Sequence, residues 1–196
     1  MRILTIICFS IFLASCSSDA ETWLQEAKTR LQKGETVSAK EAIKKALEKN
    51  PGLAEAYNLQ GVIAFQEKNW DEARKNYQKA IDLNPNSWDV FYNHGNLLRI
   101  MKQYEAAIQS YDSSISLNPV VAEPYCNKAI SLYELSKYHV ALENYNMALH
   151  LKSDYAEAHY NRGACLEKLN QLEAALESYE KAFELNPEID YLLGIK

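Results

Sequence analysis

The side chains best suited to chemistry in this sequence are four cysteines and four histidines. Thiolates and imidazoles act as nucleophiles, general bases or metal ligands only when the fold brings them together with a partner group. The spacing here gives no such convergence. His139 and His150 share a face of one predicted helix, but their separation of eleven residues corresponds to about 16 Å. His94, His150 and His159 stand where neighbouring stretches carry packing or surface residues, and read as structural. No pair of ligands stands at zinc spacing, and there is neither a Gly-rich phosphate loop nor a nucleophile elbow. The sequence therefore predicts no catalytic residue, no metal and no cofactor. What remains is recognition, carried by 13 tyrosines and a set of asparagines.

The elements that must position those residues repeat. Pro51, Pro85, Pro119 and Pro187 fall 34 residues apart or at twice that step, with Ser153 in the vacant slot. Tyr57, Phe91, Tyr125 and His159 form one column on this beat, and Gly61, Gly95 and Gly163 form a second with Ala27 and Ala129. Ala39, Ala73, Ala107, Ala141 and Ala175 form a third, Tyr77, Tyr111, Tyr145 and Tyr179 a fourth, and Ala46, Ala80, Ser114, Ala148 and Ala182 a fifth. Within each copy the apolar spacing is helical, as in Tyr77, Ala80 and Ile81, so each copy predicts two amphipathic helices. In the second copy they run from about 55 to 66 and from about 71 to 84. Gly or Ala at the crossing is expected to let two backbones approach, and Leu-Asn-Pro at 83–85, 117–119 and 185–187 to stop each second helix.

A period of 34 with bulky, Gly, Ala, aromatic, Ala and Pro positions in this order resembles the tetratricopeptide repeat, over residues 20–189. The resemblance implies an all-α, right-handed superhelical solenoid of five helix pairs, 20–53, 54–87, 88–121, 122–155 and 156–189. Residues 190–196 would form a partial C-terminal cap, the start of a further helix. It also implies protein or peptide binding in a concave groove lined by the first helices. By family geometry the walls are Leu24, Asn58, Tyr92, Cys126 and Tyr160, then Asn93, Asn127 and Asn161, then Asn96, Arg99, Tyr133, Glu167 and Lys168. Asn can donate to and accept from a peptide backbone, and Tyr supplies stacking area with a polar tip. The Asn column reads equally as bracing between neighbouring helices. Family members that clamp a carboxylate place Lys and Arg at the groove entry, whereas this chain has Glu21, Glu55, Asp89, Glu123 and Glu157, which favours a basic or neutral segment. Cys126 and Cys165 sit at unmatched positions of neighbouring copies and are expected to remain two unpaired thiols, in the packing or the groove.

The N-terminus reads differently. Residues 1–15, MRILTIICFSIFLAS, carry one Arg and an apolar run too short to span a bilayer, as in a secretory signal. Leu13, Ala14, Ser15 and Cys16 resemble a bacterial lipobox, which implies lipidation of Cys16 and cleavage before it. The tether, 16–19, would hold the first helix close to the membrane. Ser17 after the Cys points to the outer membrane, with the repeats facing the periplasm or the cell surface.

A net charge of −5 opposes nucleic-acid binding. Residues 20–53 hold seven basic and five acidic groups, and 156–189 three basic and seven acidic. Complementary ends of this kind predict a weak head-to-tail self-association, screened by salt. Glu173, Glu177, Glu180, Glu184 and Glu188 form an acidic stripe at helical spacing. The function expected is a lipid-anchored adaptor in cell-envelope assembly or maintenance. Two alternatives from other classes are a self-assembling structural element and the repeat portion of a larger enzyme. The second rests on the stretch from Pro187 to Gly194, which resembles the junction to the catalytic domain in repeat-linked glycosyltransferases.

Overall fold

Each 34-residue copy alternates a stretch with one apolar stripe and a short polar turn, and the chain folds accordingly into helix pairs. The computed structural model describes residues 19–189. Residues 19–32 are helical (α1), followed by α2 (Thr36–Lys49), α3 (Ala54–Gln66), α4 (Trp70–Leu83), α5 (Trp88–Ile100) and α6 (Tyr104–Leu117). The chain continues with α7 (Ala122–Glu134), α8 (Tyr138–Leu151), α9 (Ala156–Lys168) and α10 (Leu172–Leu185). The fold is all-α, with no strand among the described residues. The second copy matches its expected helices to within one residue. The signal stretch 1–15, Cys16 and the cap 190–196 lie outside the described residues.

Two turns recur on the 34-residue beat. Between the helices of each pair, one residue takes the left-handed conformation: Gly34 (φ 74°), Lys68 (60°), Lys102 (58°), Ser136 (59°) and Asn170 (58°). The next residue's N–H then reaches back to the preceding helix, as Asn69 N to Ala64 O at 2.9 Å and Gln103 N to Leu98 O at 2.9 Å. This satisfies carbonyls that the helix end leaves unpaired. Between pairs, the Asn before Pro turns its side chain onto the backbone: Asn50, Asn84 and Asn186 Oδ1 accept from the N–H two residues on at 3.0, 3.1 and 3.1 Å. The stop signal thus has two parts, the missing N–H of Pro and the turn-forming Asn. His159 and Tyr125 brace the equivalent loops of two successive copies, His159 Nε2 to Ser153 O at 2.9 Å and Tyr125 OH to Pro119 O at 3.2 Å.

The chain falls into two compact units, one up to Asn86 and one from Ser87. In the first, Leu24, Ala27, Ala39, Ala42, Ile43, Ala56 and Ile63 form a buried cluster. In the second, Ala122, Cys126, Ala129, Ala141, Tyr145, Ala148, Ala158 and Cys165 form another, and Tyr111 packs with Leu98 and Ala107. Small residues dominate the crossings because they let α-helices lie close.

The glycine column has a different cause from the one expected. A Cβ at Gly61, Gly95 or Gly163 would lie 2.5, 2.6 or 2.7 Å from the ring of Tyr77, Tyr111 or Tyr179, sixteen residues on. What the glycines accommodate is an aromatic ring, not a backbone. The columns of Gly and Tyr are one feature: the ring of the second helix lies over the bare Cα of the first. Two copies carry a methyl group instead, Ala129 opposite Tyr145 and Ala27 in the first copy, where Ile43 replaces the tyrosine.

Candidate partner-binding face

In the unit from Ser87, α5 lies against α7 and α7 against α9. Helical spacing puts Tyr92, Asn96 and Arg99 on one stripe of α5, with Asn93 beside it. Asn127 and Tyr133 sit on α7, and Tyr160, Asn161 and Lys168 on α9.

The structure joins three of these residues. Asn127 Nδ2 donates to Asn96 Oδ1 at 2.8 Å and to Tyr92 OH at 3.3 Å. The Tyr111 hydroxyl, rising from the core, donates to the same Asn96 oxygen at 2.9 Å. The Tyr92 ring stands 6.3 Å from that of Tyr111. Asn127 is buried, so its amide braces α7 on α5, and of the two readings of the Asn column the structure selects bracing for this member. Arg99 extends over the same cluster, beside the Tyr111 hydroxyl, with its Nε buried and unbonded. Burial holds the Tyr111 hydroxyl far above its ordinary range, so it stays a neutral donor.

The other expected residues stand apart from this cluster. Tyr133 is half-buried, its ring 5.3 Å from that of Tyr138. Tyr160 is half-buried with its ring 5.2 Å from Tyr179 and 6.4 Å from Phe183. Asn93 and Asn161 are half-buried, and Lys168 is exposed. Beside Lys168, Glu167 accepts from Tyr179 OH at 3.1 Å. Asn58 belongs to the first unit, where it is buried in α3. Leu24 and Cys126, expected on the groove wall, are core residues instead. Leu24 joins the first buried cluster and Cys126 the second.

The acidic entry column is partly neutralised. Lys28 Nζ pairs with Glu55 at 2.5 Å and Lys152 Nζ with Glu123 at 3.5 Å, while Glu157 is half-buried. Both cysteines are free and buried. Burial, with Glu157 adding to it, pushes the Cys126 thiol up to about 12, and burial pushes Cys165 up to about 11. They are packing thiols with little thiolate character. Among the described residues no cluster of His, Cys, Asp and Glu is placed to hold a metal, and no helix is long and apolar enough to cross a membrane.

The sequence reading missed the role of Tyr111, placed in the core column although its hydroxyl ends in the Asn96 cluster. The signal was available: Tyr in place of Phe at a buried position calls for a hydrogen-bond partner.

Comparisons with known proteins agree with this architecture. Profiles of the tetratricopeptide repeat match residues 54–87, 76–109 and 156–189, and a TPR repeat profile matches 131–170. No curated protein matches the chain. Among solved structures, PilF of Pseudomonas aeruginosa superposes with a TM-score of 0.79 at 22% identity, over 92% of this chain and 87% of that one. MamA of Desulfovibrio magneticus RS-1 gives 0.76 at 19% identity, over 88% and 97%. YrrB, described as a TPR protein with an unusual peptide-binding site, gives 0.72 at 25% identity, over 87% and 88%. The matched profiles jointly cover more than half of the chain, the 34-residue turns recur in every pair and the Gly–Tyr crossing in three of the five, so the chain belongs to the tetratricopeptide repeat family.

Proposed function

We propose that this protein is a non-catalytic adaptor that holds a segment of another protein against the face made by α5, α7 and α9. Lipidation of Cys16 would tether it to a membrane of the cell envelope, the outer membrane facing the periplasm, where it would serve envelope assembly or maintenance. The observation that carries the binding reading is the set of half-exposed Tyr92, Tyr133, Tyr160 and Asn161 with exposed Lys168, on the first helices of three successive pairs. Beneath them the bonds among Asn96, Asn127 and Tyr111 fix the helices, so the face is preorganised and loses little entropy on binding. Tyrosines at a fixed spacing are suited to a partner's apolar side chains, and the amide and ammonium groups to its backbone carbonyls. Glu157 beside them favours a segment with basic or neutral side chains. The peptide-binding site named for YrrB, which shares the fold, supports the same class of partner.

A photocrosslinking residue placed at Asn161 or Tyr133 in intact cells tests this reading. A discrete adduct at these positions, absent when the same residue stands at exposed Gln109 on α6, is expected. No adduct, or the same adduct at Gln109, refutes it. The anchor is tested separately with Cys16→Ala, which is expected to leave an unprocessed precursor that takes up no labelled fatty acid.

A further inference from the structure

Arg162 and Leu166 lie on the side of α9 away from Tyr160, about half a turn round the helix. They line an open cleft of about 320 Å³ together with Leu142 and Asn146 of α8 and Ala174 and Ser178 of α10, so helices of the chain bound it on both sides. One copy earlier the position of Arg162 is held by Lys128 on α7, whose Nζ pairs with Asp112 of α6 at 2.6 Å. Thirty-four residues on, Arg162 stands for Lys128 and the neutral Asn146 for Asp112. The cation is kept and its carboxylate is gone.

Among the described residues nothing replaces that carboxylate. Arg162 Nε donates to Ser178 Oγ at 3.1 Å, and Ser178 Oγ donates in turn to Ala174 O at 2.7 Å, which fixes the plane of the guanidinium. Burial holds Arg162 below its usual value, and the exposed Glu177 at the rim offsets only part of this, from a distance. Its counterpart Glu143 likewise leaves Lys128 to Asp112. A half-buried, oriented cation of this kind is already partly desolvated, so an incoming anion meets little further cost on its side. Asn146 adds a donor where Asp112 is an acceptor, which turns the cleft from one that holds its own anion to one that receives an anion from outside. We infer that the Arg162 cleft between α8 and α10 is a second docking site, independent of the α5, α7 and α9 face, for an Asp or Glu side chain of a partner protein. That carboxylate takes the place that Asp112 fills beside Lys128, on the outer nitrogens of Arg162 and the amide of Asn146. Leu142 and Leu166 beside it suit an apolar neighbour in the partner's chain.

The test pans a random peptide library displayed on phage against the full chain and against its Arg162→Gln variant. Peptides enriched on the first and not on the second are expected to share an Asp or Glu next to apolar residues. Fluorescence anisotropy with labelled copies is expected to show binding that weakens by about tenfold or more when that acidic residue is changed to its amide. Asn146→Asp in the protein, which supplies the missing carboxylate from within, is expected to weaken it as much. Asn146 is exposed, so an unchanged or higher melting midpoint separates loss of the site from loss of the fold. Arg162→Lys is expected to keep part of the affinity, since the charge stays and the planar fork is lost. Lys168→Ala, exposed on the other face of α9, is expected to leave the affinity as it was. The inference is overturned by enriched peptides with no acidic residue in common, by an affinity insensitive to Asn146→Asp, by a loss with Lys168→Ala, or by no enrichment at all. Displacement by inorganic phosphate at the peptide's own concentration makes this a small-anion site, and a dimer that Arg162→Gln dissolves makes a second copy the occupant. Either result also overturns the inference.

Discussion

The side-chain amide of Asn127 donates to Asn96 Oδ1 at 2.8 Å and, with its longer bond to Tyr92 OH, ties α7 to α5 at the face where a partner is proposed to bind. Asn127→Ala removes it together with the bond to Tyr92 OH and leaves polar atoms facing a void. The expected cost is about 1–3 kcal/mol, the range for unpaired buried polar groups. Urea unfolding measures it, and a change below about 0.5 kcal/mol would show that the bond contributes nothing net. Asn127→Asp is expected to cost more, because it sets a carboxylate oxygen against the Asn96 carbonyl.

Gly95→Ala places two effects in opposition. Alanine gains about 1 kcal/mol of helix propensity over glycine, but its Cβ would lie 2.6 Å from Tyr111 Cε1. Tyr111 is fully buried and held by Asn96, so its ring cannot swing aside. The net result is expected to be a loss of about 1–3 kcal/mol, as for other overpacked sites. Tyr111→Ala should cost about 3–5 kcal/mol through the cavity it leaves. The double substitution should cost less than the sum. Strict additivity in thermal or urea unfolding would mean that the ring and the Gly95 position are not coupled.

The left-handed turns offer a gain. Lys102 has φ 58° with an exposed side chain, where Gly34 fills the same position in the first copy at φ 74°. A non-glycine residue in this region costs about 1 kcal/mol or more, so Lys102→Gly is expected to raise stability by roughly 0.5–1 kcal/mol after the entropy of the unfolded chain is counted. Gly34→Ala should lower it. A lower melting midpoint for Lys102→Gly would contradict this account.

The buried thiols set an alkaline limit. Cys126 and Cys165 rise from an ordinary value of 9.0 to about 12 and about 11, so between these values the folded state holds protons that the unfolded state has released. Tyr77 and Tyr111 are shifted upward by burial in the same sense. Their contribution is complete below pH 9 and is lost as pH rises toward the folded values. Melting midpoints are therefore expected to fall above pH 9, and neither thiol should react with a disulfide reagent until the chain unfolds. Fast reaction of native Cys126 near neutral pH would refute its burial.

The sequence by itself determined the helix pairs, because a 34-residue beat in Ala, Gly, Tyr and Asn-Pro fixes which residues face inward and where helices stop. It could not assign the left-handed turns at Lys68, Lys102 and Ser136, since backbone closure between two packed helices, not local preference, puts those residues there. Nor could it place Leu24 and Cys126, which share a column with Tyr92 and Tyr160. Positions of one column differ in burial with the size of their own side chain and with what the neighbouring helices lay over it, so Cys126 is fully buried where Tyr92 is half-buried. For the same reason only the tertiary structure showed that glycine spares a tyrosine ring and that Asn96 and Asn127 use their amides on each other. A column of identical residues records a repeated role. Whether each copy performs it depends on the neighbour that tertiary packing supplies.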